Sequence, residues 1–265
     1  MHLELLSRHL IRDPALGLNE PSGLALNRDG SALYTVSDDT KAIFRLDLKG
    51  RVSVAESFFI GIDDLEGIAI RRDDNELLAV QEATNSLVVV DLNSRKERSR
   101  RPLSAMDNYE TIADYFPNPP DNNGLEGISV NTSNDHVFVV KERRPGLLIE
   151  IDPALTTILS TRLLQASQGF THPTLKPKKL DFSGLSYDIR NDTLWIASDQ
   201  GQCLFQYDWI SDAVLQRLDL TISSGDKPTM IRKPEGIAFD PQRKKMYVVS
   251  DRDADLYVFQ LHDDS

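Results

Sequence analysis

The chain has a single cysteine, Cys203, so no disulfide can form within it and the fold must rest on noncovalent packing. That thiol sits in an apolar strand and is expected to be buried and inert. Positive charge is in deficit: 30 Lys and Arg against 41 Asp and Glu give a net charge of −11. This argues against nucleic acid as a partner, because phosphate binding rests on Lys and Arg, and makes cations the natural counter-partners. No apolar run reaches 18 residues, so no membrane-spanning helix is expected. The N-terminus, MHLELLSRHLIRDPALGL, lacks the basic cap and apolar core of a secretory signal. A cytoplasmic location is expected from that lack, with a periplasmic or exported one the alternative if a leader has been removed.

Against these absences stands a strong internal repeat. A Glu-Gly or Ser-Gly pair is followed 16 residues later by an acid, five times: Ser22 to Asp38, Glu66 to Glu82, Glu126 to Glu142, Ser183 to Asp199 and Glu235 to Asp251. Between the anchors lie a short apolar strand (LAL, IAI, ISV, LSY, IAF), a polar turn and a second apolar run (LYTV, LLAV, VFVV, LWIA, MYVV). A third strand follows, reaching Asp47, Asp91, Asp152 and Asp208 in the first four units and Gln260 in the fifth. All-strand units recurring every 44 to 60 residues are the signature of a radial repeat fold. The expectation is an all-β, five-bladed β-propeller, a single domain over residues 1–265.

The units run over Ser22–Ile60, Glu66–Leu103, Glu126–Leu164, Ser183–Leu220 and Glu235–Leu261. The fifth has only three strands. The N-terminal strand, His2 to Ile11, belongs to no unit and is expected to supply the missing fourth, since an open sheet edge invites aggregation. The long connections after units two, three and four are too short for a sixth blade. One helical turn is expected near Asn108 to Tyr115, ended by Pro117, Pro119 and Pro120.

In a propeller the residue opening the first strand and the residue closing the second lie side by side at one mouth of the central channel. The spacing of 16 therefore gathers eight acids on one face: Glu66, Glu126, Glu235, Asp38, Glu82, Glu142, Asp199 and Asp251. At 4 to 6 Å and an effective dielectric near 20, each close pair costs roughly 3 to 4 kcal/mol before relief. Relief can come from a hard divalent cation, a shared proton, or donors from backbone and Arg. Oxygen-only ligands favour Ca²⁺, with Mg²⁺ possible, over zinc. For the second-strand acids the alternative is structural, accepting backbone hydrogen bonds from the adjoining blade. The three glutamates of the EG pairs are the better ligands, because Ser22 and Ser183 replace them in two units and the blade does not require the acid.

Around this mouth the connections place His172, Arg143, Tyr109 and Tyr115 as a candidate ligand rim. Arg144, Lys41, Arg252, Lys233, Phe116 and Phe170 are further rim candidates. His136 begins a second strand at the opposite face, so no histidine cluster is expected. Trp195 and Trp209 are read as packing residues. The repeated glycines (23, 67, 127, 184 and 236) suit close backbone approach at the channel.

The units DLEGIAI, GLEGISV, DFSGLSY and PEGIAF, followed by VQE, VKE, ASD and VSD, resemble the SdiA-regulated (YjiK-like) family of bacterial β-propellers from about Glu20 to Leu261. The resemblance implies a propeller and calcium at the acidic face; it supplies no established activity. Family members look exported or membrane-anchored, and this chain departs from them in lacking an N-terminal anchor. More distantly the plan is similar to calcium-dependent lactonases and phytase-like propellers, although Glu and Asp stand where the lactonase pattern sets Asn. Three functions are open: a cation-bearing module that binds a small molecule or protein, a metal-dependent hydrolase of esters, lactones or phosphoesters, and a purely structural scaffold. No GxSxG nucleophile motif is present and no catalytic residue is assigned.

Overall fold

The computed structural model describes residues 1–37, 40–72, 74–224 and 227–263. Asp38, one of the eight acids, lies outside them. After β1 (His2–Leu10), blade one comprises β2 (Pro21–Leu26), β3 (Ala32–Ser37), β4 (Thr40–Asp47) and β5 (Phe58–Phe59). Blade two holds β6 (Leu65–Arg71), β7 (Glu76–Gln81), β8 (Ser86–Asp91) and β9 (Lys96–Pro102). Blade three holds β10 (Leu125–Asn131), β11 (His136–Lys141), β12 (Leu147–Ile151) and β13 (Ile158–Leu163). Blade four holds β14 (Leu185–Asp188), β15 (Thr193–Ser198), β16 (Cys203–Asp208) and β17 (Ala213–Asp219). A hairpin, β18 (Thr221–Ser224) and β19 (Lys227–Met230), precedes β20 (Pro234–Asp240), β21 (Lys245–Ser250) and β22 (Asp255–His262) of blade five. Every blade is an antiparallel four-stranded sheet. The inner strands touch in the cyclic order β2, β6, β10, β14, β20 and back to β2, which makes a five-bladed propeller.

The N-terminal strand closes the ring as expected. β1 pairs antiparallel with β22 from His2↔His262 to Leu10↔Asp255, with one irregularity between Leu5 and Ser7. Its side chains alternate between exposed and half-buried; Leu3 and Leu5 pack on the blade four–five core, and Arg8 pairs with the buried Asp255 at 2.6 Å. The apolar layers lie between consecutive blades, because central strands such as β7 and β21 bury both faces and serve two layers at once.

The repeated Asp at the end of each third strand has a local cause. Asp47, Asp91, Asp152 and Asp208 accept backbone N–H groups of the turn into the fourth strand, for example Asp152 from Thr156 and Thr157 at 2.7 Å. One expectation needs correction. The outer strand of blade one, which the pattern from Arg51 to Phe59 predicts as a full strand, shrinks to two residues, because Ser57 folds back to bond Ser53 and closes a turn there. The connection after unit four adds no blade and contains the β18–β19 hairpin. The helical turn near Asn108 to Tyr115 appears as two short 3-10 turns, Tyr109–Thr111 and Ala113–Tyr115.

Five glycines set how closely the inner strands meet. A Cβ on Gly67 would lie 2.2 Å from the carbonyl oxygen of Glu126, one on Gly184 2.3 Å from that of Glu235, and one on Gly236 2.2 Å from that of Ser22. The obstacle in each case is the next blade's backbone, which cannot swing aside. Gly67→Ala should therefore act as overpacking that side-chain movement cannot relieve, costing about 3 kcal/mol or more. At about 2–4 °C per kcal/mol for a chain of this size, its melting temperature should fall by more than about 6 °C; an unchanged melt would mean that the ring has slack. Deleting Met1 to Asp13 should bare the β22 edge and lower the melting temperature by a comparable amount, or cause aggregation visible by light scattering. A truncated chain melting within a degree or two of the parent would refute closure by β1.

Candidate acidic mouth of the channel

The ladder brings the anchors together. Leu65 pairs with Gln81 and Leu125 with Lys141, which puts Glu66 beside Glu82 and Glu126 beside Glu142 at the same end of their blades. Carboxylate oxygens of Asp64, Glu66 and Glu82 lie within 4.8 Å of one another, and so do those of Glu82, Glu126 and Glu142. Glu82 belongs to both sets, so five acids from blades two and three form one run. Ser22 donates to Glu66 Oε2 at 2.5 Å, and Glu82 Oε1 accepts the Gly124 N–H at 2.9 Å. Glu142 Oε1 meets Arg143 at 3.2 Å, while its Oε2 is buried with no hydrogen-bond partner among the described residues.

Burial is the main force on these groups. It pushes the Glu66 carboxyl up to about 7, with Ser22 opposing and the charges of Glu82 and Asp64 adding to the rise. The Glu142 carboxyl is also pushed up to about 7 by burial, against the pull of Arg143. Glu126 rises well above the usual carboxylate range through burial and then the charges of Glu66 and Glu235; Glu82 is raised too, chiefly by burial.

The other half of the mouth carries its own counter-ion. Lys233 donates to Asp251 and lies 3.9 Å from Glu235 Oε1. Burial works against the Lys233 charge, but the Asp251 hydrogen bond and the neighbouring carboxylates outweigh it and raise its pKa. Glu235 is raised well above the usual range, by burial and then Asp199, and Asp199 is raised mainly by burial. Thus Glu66, Glu82, Glu126 and Glu142 come together as a run of acids, while Glu235, Asp199 and Asp251 gather around a lysine.

Among the second-strand acids, Glu82 has the blade-to-blade backbone bond of the structural alternative. Asp199 instead accepts from the Gln200 side chain at 3.0 Å. Sequence reasoning missed Asp64 and Asp181, each two residues before the Glu-Gly or Ser-Gly anchor; both precede their strands, and Asp64 has a positive φ of 60°, so no strand period points to them. Asp181 is satisfied locally by Ser198 at 2.7 Å and the Gln200 N–H at 3.0 Å. Lys141 was also missed. It is fully buried, donates to the Arg143 carbonyl at 2.5 Å and lies 5.7 Å from the Phe116 ring centre. Burial lowers its pKa, and Asp121, Glu142 and Glu82 oppose that fall.

Of the rim candidates, Arg143 is at the site, with its Nε bonded to Asn123 at 2.8 Å. Tyr109 and Tyr115 pack against the apolar layer between blades two and three. The connection carrying them runs down to the far end of blade three, where Asp107 exchanges backbone bonds with Thr156 and Ile158. His172 spends its Nδ1 on its own turn, at 3.2 Å from Leu175 N. Phe116 and Phe170 are buried, as is Trp195; Trp209 packs partly buried beside Phe138. Lys41 pairs with Asp63 at 3.2 Å, and Arg252 sits near Asp199. Cys203 is buried, and burial pushes its thiol up to about 12, which suits an inert group.

The family model for SdiA-regulated proteins matches residues 10–260, a span that takes in the inner and middle strands of all five blades. The chain belongs to the SdiA-regulated family. No curated protein matches the sequence. Among solved structures, this SdiA-regulated propeller is similar to a Myxococcus xanthus glutaminyl cyclase, with a TM-score of 0.64 and 10% identity over 98% of this chain and 97% of that one. It is also similar to the β-propeller domain of Myceliophteria thermophila Cps50 (Swd1), with a TM-score of 0.55 and 12% identity over 98% and 100% of the two chains. Kuenenia stuttgartiensis hydrazine synthase gives a TM-score of 0.53 and 11% identity over 92% of this chain and 84% of that one. At such identities the likeness is one of fold.

The raised carboxyls make a pH prediction for this SdiA-regulated chain. Their folded pKa values exceed the unfolded ones, so between about pH 4.5 and 7 the folded state holds more protons. The stability they contribute is full below the unfolded pKa and is lost as pH rises through about 7. In chelating buffer the melting temperature should fall by more than about 5 °C from pH 5 to pH 7.5, since each tenfold gain in a carboxyl's proton affinity on folding is worth about 1.4 kcal/mol. Glu126→Gln should flatten that fall; a profile that rises over the same range, or one the variant leaves unchanged, would count against the mutual repulsion of this run.

Proposed function

We propose that this propeller is a binding module whose acidic mouth holds a hard divalent cation, Ca²⁺ in preference to Mg²⁺, and uses it to contact a small molecule or protein partner. The observation that carries the reading is the buried, unpartnered Glu142 Oε2 within a run of five close carboxylates. An acceptor left without a donor in a buried place is costly, and a cation is one group that satisfies it. The donor set fits: it is all oxygen, it comes from several strands, and Ca²⁺ accepts the six to eight oxygens that such a crowd can offer more readily than Mg²⁺ does. Glu82, Glu126 and Glu142 are the residues to hold it, with Glu66 and Asp64 adjoining.

When bound, the cation would supply a positive centre able to polarise or simply grip an oxygen of a partner. The chain's own residues do the rest. Ser22 orients Glu66, Gly124 orients Glu82, and Arg143 holds one oxygen of Glu142. Lys233 serves the opposite half of the mouth, while on the side of blades two and three Arg143 reaches only one oxygen of Glu142 and Lys141 donates to the Arg143 carbonyl. A hydrolase would need a base beside the cation. Histidine is absent from both carboxylate sets among the described residues, and His172 is engaged in its own turn, so binding is the better-supported reading.

Thermal melts at pH 7.5 test this directly. Ca²⁺ should raise the melting temperature in a concentration-dependent way, by about 2.7 kcal/mol of stabilisation at a hundred times the dissociation constant. Mg²⁺ should do so more weakly. Glu126→Gln and Glu142→Gln should reduce the response at least tenfold in apparent affinity, while Glu235→Gln, on the side of Lys233, should reduce it less. Stabilisation that survives in both of the first two variants would place the cation elsewhere. Ester or lactone turnover in the parent with Ca²⁺, lost in Glu126→Gln, would replace the binding reading with the hydrolase one.

A further inference from the structure

At the level of the five glycines the channel narrows to a void of about 10 Å³, about the room of a single water molecule. Beyond this waist, at the mouth opposite the acids, it opens into a funnel of about 320 Å³, within the size range of small-molecule sites. Its floor is a ring of five aliphatic side chains, Leu24, Ile68, Ile128, Leu185 and Ile237. Leu26, Ile70, Val130, Tyr187 and Phe239 form the wall, and Arg28, Asp29, Asp240 and Arg243 stand at the rim.

One repeat position in this funnel differs between blades in a telling way. Two residues after each glycine stand Ala25, Ala69, Ser129, Ser186 and Ala238, all lining the cavity. Ser129 Oγ accepts the N–H of Tyr187 at 2.9 Å, and Ser186 Oγ accepts that of Phe239 at 3.0 Å. At two of the five junctions, then, a serine takes up an N–H that the next inner strand turns away from its own ladder. At the other three junctions the residue is alanine, which has no oxygen to offer, and the corresponding N–H groups belong to Leu26, Ile70 and Val130. In blade one the ladder does not claim this register: it is the neighbouring Asn27 N–H that bonds across, to Ala32 at 3.0 Å. Backbone donors in a recess of this kind are normally paired.

We propose that the funnel is a binding site for a small, mainly apolar molecule bearing a carboxylate or carbonyl oxygen. The oxygen accepts from the N–H groups of Leu26, Ile70 and Val130, singly or together, and the apolar body rests on the aliphatic floor. The rim suits either form of acceptor. Asp240 is paired with Arg243 at 2.6 Å, Asp29 accepts the Ser31 N–H at 2.8 Å, and two arginines, Arg28 and Arg243, line the same rim. The waist separates this site from the acidic mouth, and the two share no lining residue among those described.

Calorimetric titration of the full chain with octanoate and with its neutral counterpart octanamide, both in chelating buffer, tests the proposal. Saturable binding of one or both is expected; octanoate alone identifies an anionic site, and both identify a carbonyl-type site. The triple variant Ala25→Ser, Ala69→Ser, Ala238→Ser installs at three junctions the clip that Ser129 and Ser186 provide at the other two. It should melt no lower than the parent and bind the probe at least about tenfold more weakly, the worth of about one hydrogen bond. Absence of saturable binding of both probes, or equal binding by a folded triple variant, would overturn the proposal. Should the triple variant misfold, amide resonances of the parent decide: probe addition must shift at least one of Leu26, Ile70 and Val130, and no shift at any of them would overturn it equally.

Discussion

Everything in this molecule hangs on how closely five inner strands can approach around one axis. That distance is set where Gly23, Gly67, Gly127, Gly184 and Gly236 face the backbone of the next blade. With no side chain there, one blade's peptide rests almost against the next blade's backbone, and the channel narrows to a waist. The residue before each glycine is then forced to the acidic mouth, and the residue two after it to the funnel. A single spacing decision thus produces two separate recesses with different chemistry, one lined by carboxylates and the other by aliphatic side chains.

The acidic mouth shows how a fold carries unfavourable charge. Burial disfavours the ionised form of Glu66, Glu126, Glu142 and Glu235, and their mutual repulsion adds to it. On one side Lys233 offsets the cost by pairing with Asp251 and approaching Glu235. On the other side the protein supplies Ser22, the Gly124 N–H and Arg143, which satisfy individual oxygens but leave Glu142 Oε2 without a donor. Lys141 stands close below, yet its ammonium is turned to the Arg143 carbonyl and the Phe116 ring. The asymmetry between the halves, more than the number of acids, is what distinguishes a place for a cation from a merely polar rim.

Blade junctions are equally unequal at the far mouth. Ser129 and Ser186 bond across to the next strand, whereas Ala25, Ala69 and Ala238 cannot. A repeat that served structure alone would have no reason to vary at a position where serine fits and adds a hydrogen bond. Variation of this sort within one chain is informative because the five blades share a geometry and act as controls for one another.

The sequence by itself determined the blade count, the closing role of the N-terminal strand and the gathering of Glu66, Glu82, Glu126 and Glu142 at one mouth. Each follows from a backbone period: side chains alternate along a strand, and a hairpin returns the chain to the face where it began. Only the tertiary structure decided which acids carry a counter-ion, that Asp64 joins the run, and that Tyr109, Tyr115 and His172 serve packing and a local turn. It also decided that the channel narrows at its middle to a void of about 10 Å³. The reason is that the irregular connections have no period to read, and the partner of a long side chain such as Lys233 or Lys141 depends on what the neighbouring strand ends and loops place within its reach.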